Sequence, residues 1–211
     1  LAAAFYGHAA DKLKIIGITG TNGKTTTSYM LASVLRRAGK AVAVVGTLGI
    51  YYGKKQIAPE LTTPDPIFLH KMFADMLKSG VEYVVAEVSA HALFYRKEEG
   101  ISFAACIFTN FTQDHLDFFN TMENYKQSKK LLFTPERCPI AVLNGDDQTG
   151  REIGAMRAES VEDAFYILDD ISSITDWKLP RKRLRYSLRK NFTVRNSCST
   201  CRIICAAYPC R

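Results

Sequence analysis

No apolar run in the 211 residues approaches the length that spans a bilayer, so a transmembrane helix is excluded. The first residues, Leu1-Ala2-Ala3-Ala4-Phe5-Tyr6-Gly7-His8, carry no basic stretch ahead of a short apolar patch, unlike a signal peptide. An initiator Met is missing too, and the expectation is a chain that begins mid-protein. Acidic residues are absent from 178–211, where ten of the 28 Lys and Arg fall. That leaves 18 basic against 21 acidic side chains in 1–177, a net −3 for the body. The formal charge of +7 therefore belongs to the tail, and the body lacks the basic excess that a nucleic-acid backbone requires. Cysteine is scarce outside the tail: Cys106 and Cys138 stand alone in apolar contexts, as reduced core residues of a cytoplasmic protein would. No internal repeat is visible.

Apolar runs alternate with helical patterns. Strands are expected over Leu13–Thr19, Ala41–Thr47, Val81–Val88, Phe103–Thr109 and Ile140–Leu143, and helices over Thr25–Ala38, Ile67–Lys78 and Met122–Phe133. Strands that are continuously apolar, rather than alternating, indicate an α/β fold with a mostly parallel sheet flanked by helices. Ligands of such sheets bind beyond the carboxyl ends of the strands. The polar clusters fall at those ends or on the helix that follows. After about Gly150 the periodicity weakens.

The first cluster is "GITGTNGKTTT", Gly17–Thr27, between a strand and a helix. Backbone N–H groups of such a turn, with the positive end of the helix dipole, form an anion site. Lys24 would reach the β/γ-phosphates of a nucleotide, and the Thr25 hydroxyl would hold Mg²⁺. The generic spacing G-x-x-x-x-G-K-[ST] is not met, because position 18 is Ile; the glycines run G-x-x-G-x-x-G-K-T. Further along, Glu87 ends an apolar strand, where a carboxylate is costly unless paired. Beside a triphosphate its partner would be Mg²⁺; a capping or ion-paired Glu is the other reading.

The loop resembles the ATP loop of the Mur ligase superfamily, which joins amino acids to carboxylates at the expense of ATP. Four further stretches narrow the resemblance: "LTTPDP" (Leu61–Pro66), "AEVSAHAL" (Ala86–Leu93), "FTNFTQDHLDFF" (Phe108–Phe119) and "TMENYKQSKKLLF" (Thr121–Phe133). Together, from about Phe5 to Asp147, they are similar to the central domain of the branch that adds the third residue of the peptidoglycan stem peptide. The resemblance implies a P-loop-type domain that binds ATP through Gly20, Thr21, Asn22, Gly23, Lys24, Thr25 and Thr26. It implies Mg²⁺ held by Thr25 and Glu87, a second metal ion on His115, and Lys129 carried as a carbamate. Residue chemistry alone would leave Lys129 a solvated helix charge, and Asp114 and Asp117 caps of the next turn. Thr62, Thr63 and Ser89 inherit contacts to the UDP-sugar peptide, although turn chemistry beside Pro64 and Pro66 accounts for them equally. Lys97 stands where the family commonly has arginine; it supplies the charge without the bidentate fork, and Arg96 is the alternative donor.

The implied substrates are UDP-N-acetylmuramoyl-dipeptide and a diamino acid, for a cytoplasmic monomer without nucleic-acid or membrane partners. Residues 1–12 read as a linker from a preceding uridine-binding domain, 13–150 as the ATP-binding core, and 151–211 as an off-pattern remainder. "RNSCSTCRIICAAYPCR" (Arg195–Arg211), with Cys198, Cys201, Cys205 and Cys210, leaves three readings open: out-of-frame or truncated translation, a metal site, or a disordered tail. A folylpolyglutamate- or cyanophycin-type ligase is the alternative enzyme, and a non-catalytic nucleotide-binding fragment the alternative class. The 211 residues are expected to bind ATP with little or no ligation on their own.

Overall fold

The computed structural model describes residues 1–58 and 61–157, and the backbone alone of 162–166. The basic, cysteine-rich tail, with its three open readings, lies outside the described residues.

After a short helix α1 (Ala2–Phe5) and a 3-10 turn (Ala9–Lys12), β1 (Lys14–Thr19) leads into α2 (Lys24–Arg37). Then follow β2 (Val42–Gly46), β3 (Gly49–Tyr52), β4 (Lys55–Ile57), α3 (Pro66–Lys78) and β5 (Tyr83–Glu87). The remaining elements are α4 (Ala90–Phe94), β6 (Ala105–Phe108), α5 (Leu116–Phe119), α6 (Met122–Lys130), β7 (Ile140–Asn144), α7 (Gln148–Met156) and β8 (Glu162–Tyr166). They form one sheet in the order β4-β3-β2-β5-β1-β6-β7-β8. From β2 to β8 in that order every pairing is parallel; β3 and β4 add an antiparallel edge.

The strand runs are continuous because both faces are covered. Successive residues of a strand point to opposite sides, so Ile15 packs with Val45, Val84, Phe73 and Met76 under α3. Ile16 and Ile18 pack with Val44, Val85, Ala32 and Leu35 under α2. On α2 the buried positions Ser28, Ala32 and Leu35 recur at helical spacing and define its inward stripe.

Three features differ from the sequence expectation. The hairpin of β3 and β4 falls in "GIYYGKKQI", whose short polar-flanked runs have little apolar signal. The helix expected over Met122–Phe133 ends at Lys130, and Leu131–Phe133 tightens into a 3-10 turn that buries Leu132 and Phe133. Past the last recognisable motif, α7 runs through Gly150 to Met156, and β8 pairs in parallel with β7. Arg157 is 1% exposed there and donates to the carbonyls of Phe133 (2.6 Å) and Cys138 (3.0 Å). No helix among the described residues is long and apolar enough to cross a membrane.

Candidate nucleotide and cation site

β1 lies between β5 and β6, and the carboxyl ends of these three strands carry the candidate residues. The Gly20–Gly23 turn is stitched to the segment after β6. Thr21 N donates to Asn110 O (2.9 Å), Asn22 N to Asn110 Oδ1 (2.9 Å), and Thr109 Oγ1 to Asn22 O (2.7 Å). A Cβ at Gly20, where φ is +147°, would fall 1.9 Å from Thr109 Oγ1, so only glycine allows this approach. Gly23 precedes α2, and no side chain caps the helix. Its first-turn N–H groups face outward with the dipole's positive end, the arrangement that suits an anion. Lys24 Nζ is folded onto the loop and donates to Gly20 O and Thr21 O, both at 2.8 Å. Burial lowers its pKa, against the pull of Glu87 and Asp114. Thr26 is exposed in the first turn of α2.

Glu87 closes β5 with no solvent exposure. Its Oε2 accepts from Thr25 Oγ1 (2.9 Å) and Thr47 Oγ1 (3.0 Å), and its Oε1 from Thr47 N (3.3 Å). These partners are neutral. Gly46, at the end of β2, makes room: a Cβ there would lie 2.1 Å from Glu87 Oε1. A buried carboxylate solvated only by hydroxyls and one N–H, beside a phosphate-binding turn, is a hard-oxygen donor set for Mg²⁺. Thr25 and Glu87 fit that ion.

The second group comes from α6 and the segment after β6. Lys129 is 1% exposed, and its Nζ stands 4.4 Å from the centroid of the Tyr125 ring. Burial pulls its pKa down to about 7, helped by the Lys24 charge and opposed by Asp114. His115 caps α5 in the left-handed region (φ 51°); its Nε2 is 3.5 Å from Asp114 Oδ2, and its ring meets Tyr125 edge-on at 5.8 Å. Lys24 thus feels the charges of Glu87 and Asp114, Lys129 those of Lys24 and Asp114, and His115 neighbours this group through Asp114 and the Tyr125 ring. Among the described residues no three His, Cys, Asp or Glu side chains gather into a ligand set.

The expected substrate residues are split. Thr63 Oγ1 donates to Glu87 O (3.0 Å) and accepts from Ser89 N (3.1 Å), tying the 61–65 loop to the end of β5. Thr62 Oγ1 lies 3.1 Å from Thr47 Oγ1, which itself bonds Glu87. Ser89 caps α4, accepting from Ala92 N (3.1 Å). Lys97 is ion-paired with Asp65 (2.5 Å), in the same 61–65 loop, while Arg96 is exposed with φ 52°.

Sequence reasoning missed Thr47, Tyr125 and His91. Thr47 follows an apolar strand, the same signal that marked Glu87. His91 packs against His115 (4.8 Å between ring centroids) and Phe118 (4.5 Å), and burial lowers its pKa. Tyr125 is an aromatic at helical spacing from Lys129, indistinguishable in sequence from ordinary core.

Residues 18–193 match the model of the Mur ligase middle domain. A UDP-N-acetylmuramoyl-L-alanyl-D-glutamate–2,6-diaminopimelate ligase of Clostridium tetani is 44% identical over 193 residues, 92% of this chain and 38% of that one. The protein of the same name from Geobacillus thermodenitrificans is 43% identical over 168 residues, 76% of this chain and 34% of its own. The chain thus spans about a third of the length of these relatives. A solved structure of such a ligase superposes with a TM-score of 0.68 at 30% identity, covering 74% of this chain and 32% of that chain. An ADP complex of Mycobacterium tuberculosis folylpolyglutamate synthase shares the fold, with a TM-score of 0.61 at 16% identity, covering 78% and 46%.

Proposed function

The chain belongs to the Mur ligase family through its middle domain, and on that premise we propose that it is the ATP-handling part of a carboxylate–amine ligase acting on UDP-N-acetylmuramoyl-L-alanyl-D-glutamate. ATP phosphorylates the D-glutamate γ-carboxylate. The amine of a diamino acid, 2,6-diaminopimelate by the names of the relatives, then displaces phosphate to leave an amide. The observation that carries this reading is the bond from Thr25 Oγ1 to the fully buried Glu87, which joins the phosphate turn to the end of β5 across 62 residues.

The protein's own work is positioning and charge neutralisation. The Gly20–Thr25 turn and the start of α2 cradle the phosphates. Lys24 exchanges its two loop carbonyls for phosphate oxygens. Thr25 and Glu87 would hold Mg²⁺, which would supply positive charge against the transferring phosphoryl group when bound. His115, with Lys129 as a carbamate, would serve a second cation. The neutral Lys129 amine adds to CO₂, forming the N–C bond and releasing one proton; a pKa near 7 leaves much of the side chain neutral at physiological pH. Thr62, Thr63 and Ser89 meet the sugar peptide beside Glu87, and the same reading has the protein acting as a cytoplasmic monomer.

Calorimetric titration of the chain with ATP and Mg²⁺, before and after Lys24→Ala, tests the nucleotide site. Thermal protection by UDP-muramoyl-dipeptide, but not by a folate, tests the substrate class. ATP binding undiminished in Lys24→Ala would remove the basis for the phosphate loop.

A further inference from the structure

The geometry points to Tyr125 as a positioning residue that ties the nucleotide-phosphate turn to the helix carrying Lys129. This rests on the turn binding ATP, but goes beyond it. Tyr125 is 1% exposed and one helical turn before Lys129 on α6. Its hydroxyl lies 3.3 Å from Thr21 Oγ1. Thr21 Oγ1 also donates to Thr112 O (3.2 Å) and accepts from Thr112 N (3.0 Å). A threonine hydroxyl has one proton and two lone pairs. With its proton on Thr112 O, Thr21 can only accept from Tyr125, so the tyrosine donates and every bonding position of the threonine is filled. The Thr21 rotamer is thus held jointly by Thr112, after β6, and by Tyr125 on α6, and the turn whose carbonyls hold Lys24 is tied to both.

The other surfaces of the same ring are also occupied. Lys129 Nζ stands over its face at 4.4 Å, and His115 meets it edge-on at 5.8 Å. Phe111, from the segment that holds Asn22, packs at 5.2 Å. One rigid side chain therefore touches the turn, the segment after β6 and the candidate carbamate lysine. The hydroxyl is the direct hydrogen bond from the turn to α6, beside the ring contacts made through Phe111 and His115. Phenylalanine at this position would keep every ring contact and lose only that bond.

The test is a double-mutant cycle on the whole chain, read by ATP·Mg²⁺ affinity and by hydrogen exchange. One neutral hydrogen bond corresponds to about threefold to tenfold in affinity. Tyr125→Phe should weaken binding by about that factor, and Thr21→Val by at least as much. The double variant should be no weaker than Thr21→Val, because the tyrosine hydroxyl then has nothing to hold. At saturating ATP·Mg²⁺ the wild type should gain exchange protection in both α2 and α6, and Tyr125→Phe the same protection in α2 but less in α6. Losses that multiply in the double variant, or full α6 protection in Tyr125→Phe, would overturn the coupling while leaving the ATP site standing. Lys24→Ala binding ATP like the wild type would overturn both together.

Discussion

Replacing Glu87 by Gln separates a structural carboxylate from one kept for a cation. The amide is nearly isosteric, and the partners of Glu87 are two hydroxyls and one N–H. Hydroxyls can reverse their bonds, so the glutamine oxygen accepts from Thr47 N while its amide donates to Thr25 and Thr47. The ligand-free fold should change by no more than about 1 kcal/mol, in either direction, because a buried charge disappears along with charge-assisted bonds. Nucleotide binding responds differently. A unit charge about 4 Å from another interacts by about 4 kcal/mol at an effective dielectric near 20. Losing it weakens metal-nucleotide affinity by roughly a hundredfold to a thousandfold at about 1.4 kcal/mol per decade. With ATP·Mg²⁺ at about 100 times its dissociation constant, the wild type gains about 2.7 kcal/mol. For a domain of this size that is a rise of about 5–10 °C in melting temperature. Glu87→Gln at the same concentrations should rise by about 2 °C or less. Differential scanning fluorimetry reads both quantities. A glutamine variant with the full nucleotide shift would show that Glu87 is only a structural group and would refute the cation assignment.

Gly20→Ala should lose most ATP binding and unfold at lower temperature, because its Cβ would overlap Thr109 Oγ1; calorimetry and melting curves check it. Arg157→Met should destabilise the chain by about 2–4 kcal/mol, since it leaves the buried carbonyls of Phe133 and Cys138 without their donor; urea denaturation gives the figure. Lys129 predicts a pH signature. Its folded pKa, about 7, lies below the unfolded value near 10.5, so the unfolded chain binds the extra proton between these limits. Its cost to stability is full below about pH 7 and fades as pH approaches about 10.5. Without CO₂, Lys129→Met should therefore be more stabilising at pH 6.5 than at pH 10 by a few kcal/mol. A melting-temperature difference that does not vary with pH would contradict this.

The parallel core was legible because buried strands must be apolar throughout, and β1, β2, β5, β6 and β7 all advertise that in sequence. The β3–β4 hairpin was not, since an edge strand such as Lys55–Ile57 is largely exposed and needs no apolar pattern. Lys24, Thr25 and Glu87 could be read because glycine spacing and a charge at the end of an apolar run are local signals. Thr47 stands at the end of an apolar run as Glu87 does, but neither it nor Tyr125 reveals its partner in sequence. Their significance comes from Glu87, 40 residues away, and from Thr21, 104 residues away, and neither separation leaves a trace in composition or periodicity. Lys97 shows the converse: a charge in a suggestive position is engaged by Asp65, and its length of chain does not reveal which partner wins.

The sheet order explains why these distant residues converge. From β1 the chain passes through α2 to β2, turns out through the hairpin to the edge, and returns through α3 to β5 beside β1. It then crosses to the other flank, where β6, β7 and β8 follow in turn. The direction of winding therefore reverses at β1, and connections leaving opposite flanks open a crevice at its carboxyl end. The phosphate turn leaves β1 itself, Glu87 ends the neighbour on one flank, and Thr109–Thr112 follow the neighbour on the other. With neighbouring strands about 4.8 Å apart, the three ends span roughly 10 Å, comparable to a triphosphate with its counter-ions. Moving any of these groups one residue along its strand would reverse the face it points to. Gly20 and Gly46 leave the room that the Thr109 hydroxyl and the Glu87 carboxylate occupy, and a Cβ at either would overlap them where they now stand. The crevice therefore depends on backbone spacing as much as on its charged side chains, and a single methyl group at Gly46 should displace Glu87 without altering any charge.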